Sequence, residues 1–335
     1  MSEAALLARW IARQDLKRDE VAELFGRIMD GAVEPAMTAA LLSALAAKRE
    51  TVEEIVGAAT AMRARARAVP HRRPEAIDTC GTGGDGRGTV NVSTAAALVA
   101  AAAGAAVAKH GNRAISSRAG SADVLAALGV EIEVEPETAA RQLDELGIAF
   151  LFAPLHHPAM RAVAPVRKAL GVRTIFNLLG PLTNPAGARR QLLGVFAAEL
   201  VVPMARVLAE LGAEHAWVVH GRDGLDEITI TTTTLVAEVR PGSVRSFEVS
   251  PEELGARRAT LAELAGASAE ENAAHLERTL AGEPGAMAEI VAVNAGAALY
   301  LAGLADSAAD GVERARATLA DGSGLVKLEA LRAFR

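Results

Sequence analysis

DTCGTGGDGRGTVNVST, residues 78–94, sets five glycines (Gly81, Gly83, Gly84, Gly86, Gly88) within eight residues, between a short apolar run and an alanine-rich one. Glycine lets the backbone turn sharply and leaves N–H groups uncovered by side chains. The run before it, AIDTC, has the length of a strand, and the run after it reads as a helix. A strand, a glycine turn and a helix in succession open a βαβ unit. Phosphate oxygens suit such a turn, because uncovered amides and a helix N-terminus both favour negative charge. A plain surface loop would leave the flanking Ser, Thr and Asn groups without a purpose.

The same alternation continues on the C-terminal side: GAAVAKHG, a helix from Ser121 (SADVLAALG), VEIEV, ETAARQLDELG, IAFLFAP, and later HAWVVHG and TITTTTLVAEV. The expected fold class is therefore α/β, with a mostly parallel central sheet flanked by helices. On the N-terminal side, residues 1 to about 64 have apolar positions spaced by three and four, broken at Gly31 and Pro35, and read as helices throughout. Thr51 followed by Glu54 predicts a capping box. A basic linker, Arg65 to Pro74, separates the two patterns. Gly88 to Ala108 carries no charge, but its apolar part is mostly alanine and too short to span a bilayer, so a buried helix and strand are expected.

GTGGDG matches G-x-G-x-x-G, but that pattern also predicts an acid about twenty residues on to hold a ribose hydroxyl. The next strand here ends in Lys109, which attracts phosphate and accepts nothing from a ribose. The P-loop fails too, since Gly86 is followed by Arg87 and Gly88. A second phosphate element is KHGNRAISSRAGS, residues 109–121, with three cations and the hydroxyls of Ser116, Ser117 and Ser121; Ser117 or Ser121 alone reads as a helix cap. Two successive strand ends with phosphate chemistry belong on one edge of a parallel sheet, where ligands bind. In HGRDGLDEIT, residues 220–229, Asp226 and Glu227 are hard oxygen donors of the kind Mg²⁺ takes alongside substrate phosphates.

The 335 residues are 51% hydrophobic and 23% charged with net charge −6, which excludes a disordered chain. That net charge and ten aromatic residues speak against nucleic-acid binding. Between Glu145 and Glu199, however, no acid occurs, while Arg161, Arg167, Lys168, Arg173, Arg189 and Arg190 give six cations. Such a segment is either a solvated basic face or a wall toward an anionic ligand. The single cysteine, Cys80, excludes an internal disulfide and fits a reducing compartment; no basic neighbour activates it as a nucleophile. His156 and His157 are adjacent and lack metal-ligand spacing. MSEAALLARWIARQDLKRDE has no uninterrupted apolar stretch and no cleavage site, so a cytoplasmic protein without membrane partner is expected.

Four stretches, DTCGTGGDGRGTVNVST, KHGNRAISSRAGSADVLAALG, HHPAMRAVAPVRKALGVRTIFNLLGPLTNPA and HGRDGLDEIT, occur in an order and spacing that resembles the anthranilate phosphoribosyltransferase family of tryptophan biosynthesis. The likeness covers essentially the whole chain. It implies a small helical domain over residues 1–70, with part of about 160–190 packed on it, hinged to a large α/β domain over 71–335, and a homodimer formed through the helical parts. It implies transfer of a 5-phosphoribosyl group from phosphoribosyl pyrophosphate to the amino group of anthranilate, with Mg²⁺ as two ions. The donor site it implies comprises Gly81, Gly84, Asp85, Thr89, Asn91, Val92, Ser93, Thr94, Lys109, His110, Gly111, Asn112, Arg113, Ala114, Ile115, Ser116, Ser117 and Ser121. Anthranilate is expected at Gly81, Asn112 and Arg167, and metal at Ser93, Asp226 and Glu227. No general base is assigned, because an aniline nitrogen is already unprotonated at neutral pH. The competing reading is a pyrimidine nucleoside phosphorylase, which shares the two-domain plan and K-H-G but uses inorganic phosphate. A non-catalytic, nucleotide-sensing scaffold would show damaged motifs, and all are intact.

Overall fold

The chain begins with four helices, α1 (Glu3–Ile11), α2 (Arg18–Met29), α3 (Pro35–Lys48) and α4 (Val52–Arg63). The computed structural model describes residues 1–84, 86–114 and 119–335. At the start of α4 the capping box forms: Thr51 Oγ1 accepts the Glu54 N–H (3.3 Å) and Glu54 Oε2 accepts the Thr51 N–H (2.9 Å). The same carboxylate is fully buried and also accepts from the Trp10 indole (2.8 Å), the Leu16 amide (3.1 Å) and the Lys48 ammonium (2.9 Å). A buried charge needs such partners, and these tie α1, α3 and α4 together.

The alternating part follows: β1 (Ile77–Gly81), α5 (Val92–Ala102), β2 (Val107–Gly111), α6 (Ser121–Ala127), α7 (Pro136–Leu146) and β3 (Ile148–Phe152). Next come α8 (Ala153–His156), α9 (Met160–Leu170) and α10 (Phe176–Leu179), of which α9 packs against α2 and α3. The chain then returns as β4 (Arg190–Gly194), α11 (Val201–Glu210), β5 (His215–Gly221), β6 (Thr234–Arg240) and β7 (Ser243–Val249). It ends in α12 (Ala269–Leu280), α13 (Ala286–Leu301), α14 (Ala308–Ala320) and α15 (Ser323–Ala333).

Among the described residues the strands form one sheet in the order β3-β2-β1-β4-β5-β6-β7. The five strands from β3 to β5 are parallel; β6 and β7 add on antiparallel. Successive residues face opposite sides, so Leu192, Trp217 and Val219 enter the core with α5 and α13, while Leu193, Ala216 and Val218 enter the core with α2, α4 and α11. From β1 the order runs outward to β2 and β3 on one side and to β4 and β5 on the other. The crevice between the loops after β1 and β4 is therefore a topological switch point, where open α/β sheets bind ligands. No helix among the described residues is long and apolar enough to cross a membrane.

Two expectations need correction. VEIEV alternates like a strand, yet Val130 to Val134 joins no ladder: the position beside β2 is taken by β3, and Val130 and Ile132 insert into the core from an irregular segment. The second strand does not end at Lys109 but runs on to Gly111.

Candidate active site

β1 ends at Gly81, and the chain turns directly into the glycine-rich loop. Gly83 N–H donates to Asp226 Oδ2 (2.9 Å), and the Ser93 N–H, in the first turn of α5, donates to Glu227 Oε1 (3.2 Å). Both carboxylates follow β5 in sequence, yet they reach the turns after β1. Backbone proximity makes this possible. A Cβ on Gly194, the last residue of β4, would lie 1.6 Å from the Asp226 carbonyl oxygen, and one on Gly81 would lie 2.5 Å from Asp226 Oδ2. At Gly194 only glycine lets the Asp226 backbone cross the crevice, whereas at Gly81 the near atom is the end of the Asp226 side chain.

From β2, the buried Lys109 extends its ammonium to the Thr79 carbonyl (2.5 Å) and to Ser93 Oγ (3.2 Å). Burial pulls its pKa down, while Asp78, Cys80, Glu227 and Asp226 act to keep the proton on. Asp78, one strand over, has its pKa raised by burial; its Oδ1 accepts the His110 N–H (3.1 Å). His110 lies on the segment beyond Lys109, its Nδ1 3.1 Å from the Gly180 carbonyl and its ring 5.1 Å from that of His157. Burial drives both imidazoles toward the neutral form, His110 well below its usual range and His157 to about 4. His110 Nε2 is buried without a partner among the described residues.

The loop after β2 is held by a residue the motifs did not flag. Asp123 Oδ2 accepts the N–H groups of Ala114 and Gly120 (2.9 Å each), and its Oδ1 accepts from Arg113 (3.1 Å). Burial acts against its charge, but those donors outweigh it and keep the carboxyl below the usual range. Gly120 is the N-cap of α6, and Ser121 donates its hydroxyl to the Asn112 carbonyl (3.3 Å), so Ser121 braces Asn112. Gly111 closes β2 against Ser121. Asp85, Ile115, Ser116 and Ser117 lie outside the described residues.

The first turn of α5 brings Val92, Ser93 and Thr94 beside this loop. Thr94 Oγ1 is buried without a partner among the described residues. Asn91, by contrast, is committed to protein: its Nδ2 donates to the Ala119 carbonyl and its Oδ1 accepts from Asn272 (3.1 Å each). Its side chain joins the two phosphate elements and α12. Thr89 bridges to Ala265, and the Gly266 N–H donates to Gly88 O (2.7 Å), which fixes the far end of the glycine loop.

Part of the acid-free segment forms a further wall; Arg189 and Arg190, at the start of β4 on the far edge of the sheet, instead pair with Glu214. Arg167, half-buried on α9, holds its guanidinium 5.6 Å from the Phe176 ring, which in turn meets Phe25 of α2 at 5.5 Å. Burial lowers its pKa, and no acid among the described residues pairs with it. Such a half-buried cation is suited to a carboxylate ligand. Arg173 donates to the Gly84 carbonyl and stacks 4.1 Å from the Phe196 ring, so this wall touches the glycine loop itself. The sequence had marked Arg173 only as one of six cations.

Comparison with known proteins agrees with this arrangement. Residues 73–325 match the glycosyl transferase family, a/b domain, and residues 4–66 match the glycosyl transferase family, helical bundle domain. An anthranilate phosphoribosyltransferase of Rubrobacter xylanophilus is 56% identical over 96% of this chain and 94% of its own. The crystal structure of the Thermus thermophilus enzyme is 51% identical, with a TM-score of 0.93 over 98% of each chain. The Saccharomyces cerevisiae enzyme, solved in complex with PRPP and Mg, is 27% identical with a TM-score of 0.88 over 98% of this chain and 97% of that one. With identity above one half along nearly its full length, and with the glycine loop, carboxylate pair and Arg173 gathered at one sheet edge, this chain belongs to the anthranilate phosphoribosyltransferase family.

Proposed function

We propose that this chain transfers the 5-phosphoribosyl group of phosphoribosyl pyrophosphate to the amino nitrogen of anthranilate, releasing pyrophosphate, in tryptophan biosynthesis. The observation that carries this reading is the meeting of Gly83, Ser93, Lys109, Asp226 and Glu227 in one hydrogen-bonded group at the switch point. In the reaction the C1–N bond forms as the C1–O bond to pyrophosphate breaks, and the nitrogen then gives up one proton to solvent. Negative charge grows on the leaving group and positive charge on the ribose, so the protein's task is to place donors and cations around pyrophosphate. The glycine-loop amides, the first turn of α5 and the segment from Lys109 to Ser121 are assigned to that task.

The donor set fits Mg²⁺. Ser93 Oγ, Asp226 and Glu227 are hard oxygens, brought together where the first turn of α5 meets the turn after β5. Two carboxylates with substrate phosphates and water completing the shell is how Mg²⁺ is usually held. When bound there, as two ions, it supplies charge neutralisation for the departing pyrophosphate. Lys109 orients Ser93 toward that position.

Arg167 and Asn112 are assigned to anthranilate, Arg167 to its carboxylate and Asn112, braced by Ser121, to the acceptor side of the cleft beside Gly81. The neutral His110 and His157 put no further positive charge there. The protein is assigned to the cytoplasm and to a homodimer joined through the helical part, where Ile11 is 69% exposed.

Anthranilate is fluorescent, which gives a direct test. Its emission is expected to fall when enzyme, phosphoribosyl pyrophosphate and Mg²⁺ are combined; an unchanged signal, with thymidine or uridine consumed in the presence of phosphate, overturns the reading in favour of the phosphorylase. In the same assay Arg167→Ala is expected to raise the anthranilate KM about 10- to 100-fold, the worth of a charged hydrogen-bonded pair. The donor KM should move far less. Equal shifts in both would remove Arg167 from the acceptor site.

A further inference from the structure

The two carboxylates assigned to metal do not stand apart from the phosphate-binding backbone; they occupy it. Asp226 Oδ2 takes the Gly83 N–H, and Glu227 Oε1 takes the Ser93 N–H at the start of α5. These are the amides a phosphate would seek, one in the glycine loop and one at a helix N-terminus. The Asp226 backbone is held close to this edge, since its carbonyl oxygen would meet a Cβ on Gly194 at 1.6 Å. An N–H has one hydrogen, and a carboxylate and a phosphate oxygen compete for it. A bare polyphosphate arriving here must displace both carboxylates and then face their charges at close range. A polyphosphate that brings its own divalent cation gives those carboxylates another partner and leaves the amides to its phosphate oxygens.

We propose that Asp226 and Glu227 act as a filter as well as metal ligands: by holding the Gly83 and Ser93 amides they reject metal-free polyphosphates and admit the donor only as its Mg²⁺ complex. The inference rests on the donor-site reading above. It gives the same two residues opposite effects on two forms of one ligand. Neutralising them weakens binding of the Mg²⁺ complex and strengthens binding of the metal-free anion.

Calorimetric titration of pyrophosphate into the full-length protein tests this, in excess chelator and separately in Mg²⁺. Wild type, Asp226→Asn/Glu227→Gln and Glu227→Gln alone are compared. The double variant is expected to bind metal-free pyrophosphate about tenfold more tightly than wild type, matching the loss of charge-assisted competition. Its gain in affinity on adding Mg²⁺ should largely vanish. Metal-free affinity that is unchanged or weaker in the double variant overturns the filter, even where wild type binds the Mg²⁺ complex well. If the double variant does not fold, Glu227→Gln decides in its place: a tighter metal-free constant supports the filter, and an unchanged one overturns it. Failure of wild type to bind pyrophosphate with Mg²⁺ would instead remove the donor site, and the filter with it.

Discussion

Gly194→Ala is expected to reduce transfer on the order of 100-fold while the protein remains folded, the loss that a displacement of about 1 Å among reacting groups produces. Gly194 is in register with Gly81 on β1 and Val219 on β5, in the middle of the sheet. Its backbone carbonyl accepts the Thr82 N–H (2.9 Å), so the residue also anchors the entry to the glycine loop. A methyl group there would sit 1.6 Å from the Asp226 carbonyl oxygen, a separation no packing tolerates. The strand is held on both sides, so the Asp226–Glu227 segment is the part that gives way. Overpacking of this kind typically costs about 1–3 kcal/mol. The measurement is the rate of anthranilate fluorescence loss beside a thermal melt. Activity within threefold of wild type would show that the carboxylate segment is not positioned by this contact.

The second large effect concerns stability. Glu54→Ala is expected to lower the unfolding free energy by about 3–5 kcal/mol, as when one partner of a buried charged pair is removed. The substitution leaves the Trp10 indole, the Leu16 amide and the Thr51 amide without their acceptor. Lys48, whose side chain is only 4% exposed, keeps Asp15 but loses its buried partner. Most small folded domains are stable by about 5–15 kcal/mol, so the loss would be a large share. Glu54→Gln keeps the shape and one acceptor but turns its NH2 toward either the Trp10 and Leu16 donors or the Lys48 and Thr51 donors, so it too should be destabilised, by less than Glu54→Ala. Urea unfolding followed by tryptophan fluorescence reads both, since Trp10 reports on this contact; equal midpoints for wild type and Glu54→Ala would contradict the account.

The sequence revealed what local chemistry encodes. Amphipathic spacing announced the first four helices, and Thr51 with Glu54 announced the cap of α4, because both signals lie within a few residues. That Glu54 also serves Trp10 and Leu16 was not legible, since those contacts exist only once the helices pack. The strands leading into the motifs were visible through their glycine turns. RQLLG, which becomes the central β4, and SVRSFEV, which becomes β7, were not singled out: the first is too short to show a period, and the second is mostly polar and exposed. At the switch point, the motifs singled out Lys109, Ser93, Asp226 and Glu227, which the fold brings together. They did not identify Gly194, Arg173 or Asp123, which act across the fold on the Asp226 segment, the Gly84 carbonyl and the Asn112–Ala114 loop. Asn91 shows the reverse case, a residue of the glycine-loop motif whose amide is spent on Ala119 and Asn272.

The single cysteine has a practical meaning once its surroundings are known. Cys80 is buried on β1, its sulfur accepts from the Gln191 amide at 3.1 Å, and burial pushes its pKa well above the ordinary thiol value. Thiolate is the form that reacts with alkylating reagents and peroxide, so this sulfur is shielded from both. The chain therefore already serves as a background for site-specific labelling. A cysteine introduced at Val172, which is 62% exposed between Arg167 and Arg173, would take up a fluorophore or spin label while Cys80 stays unmodified.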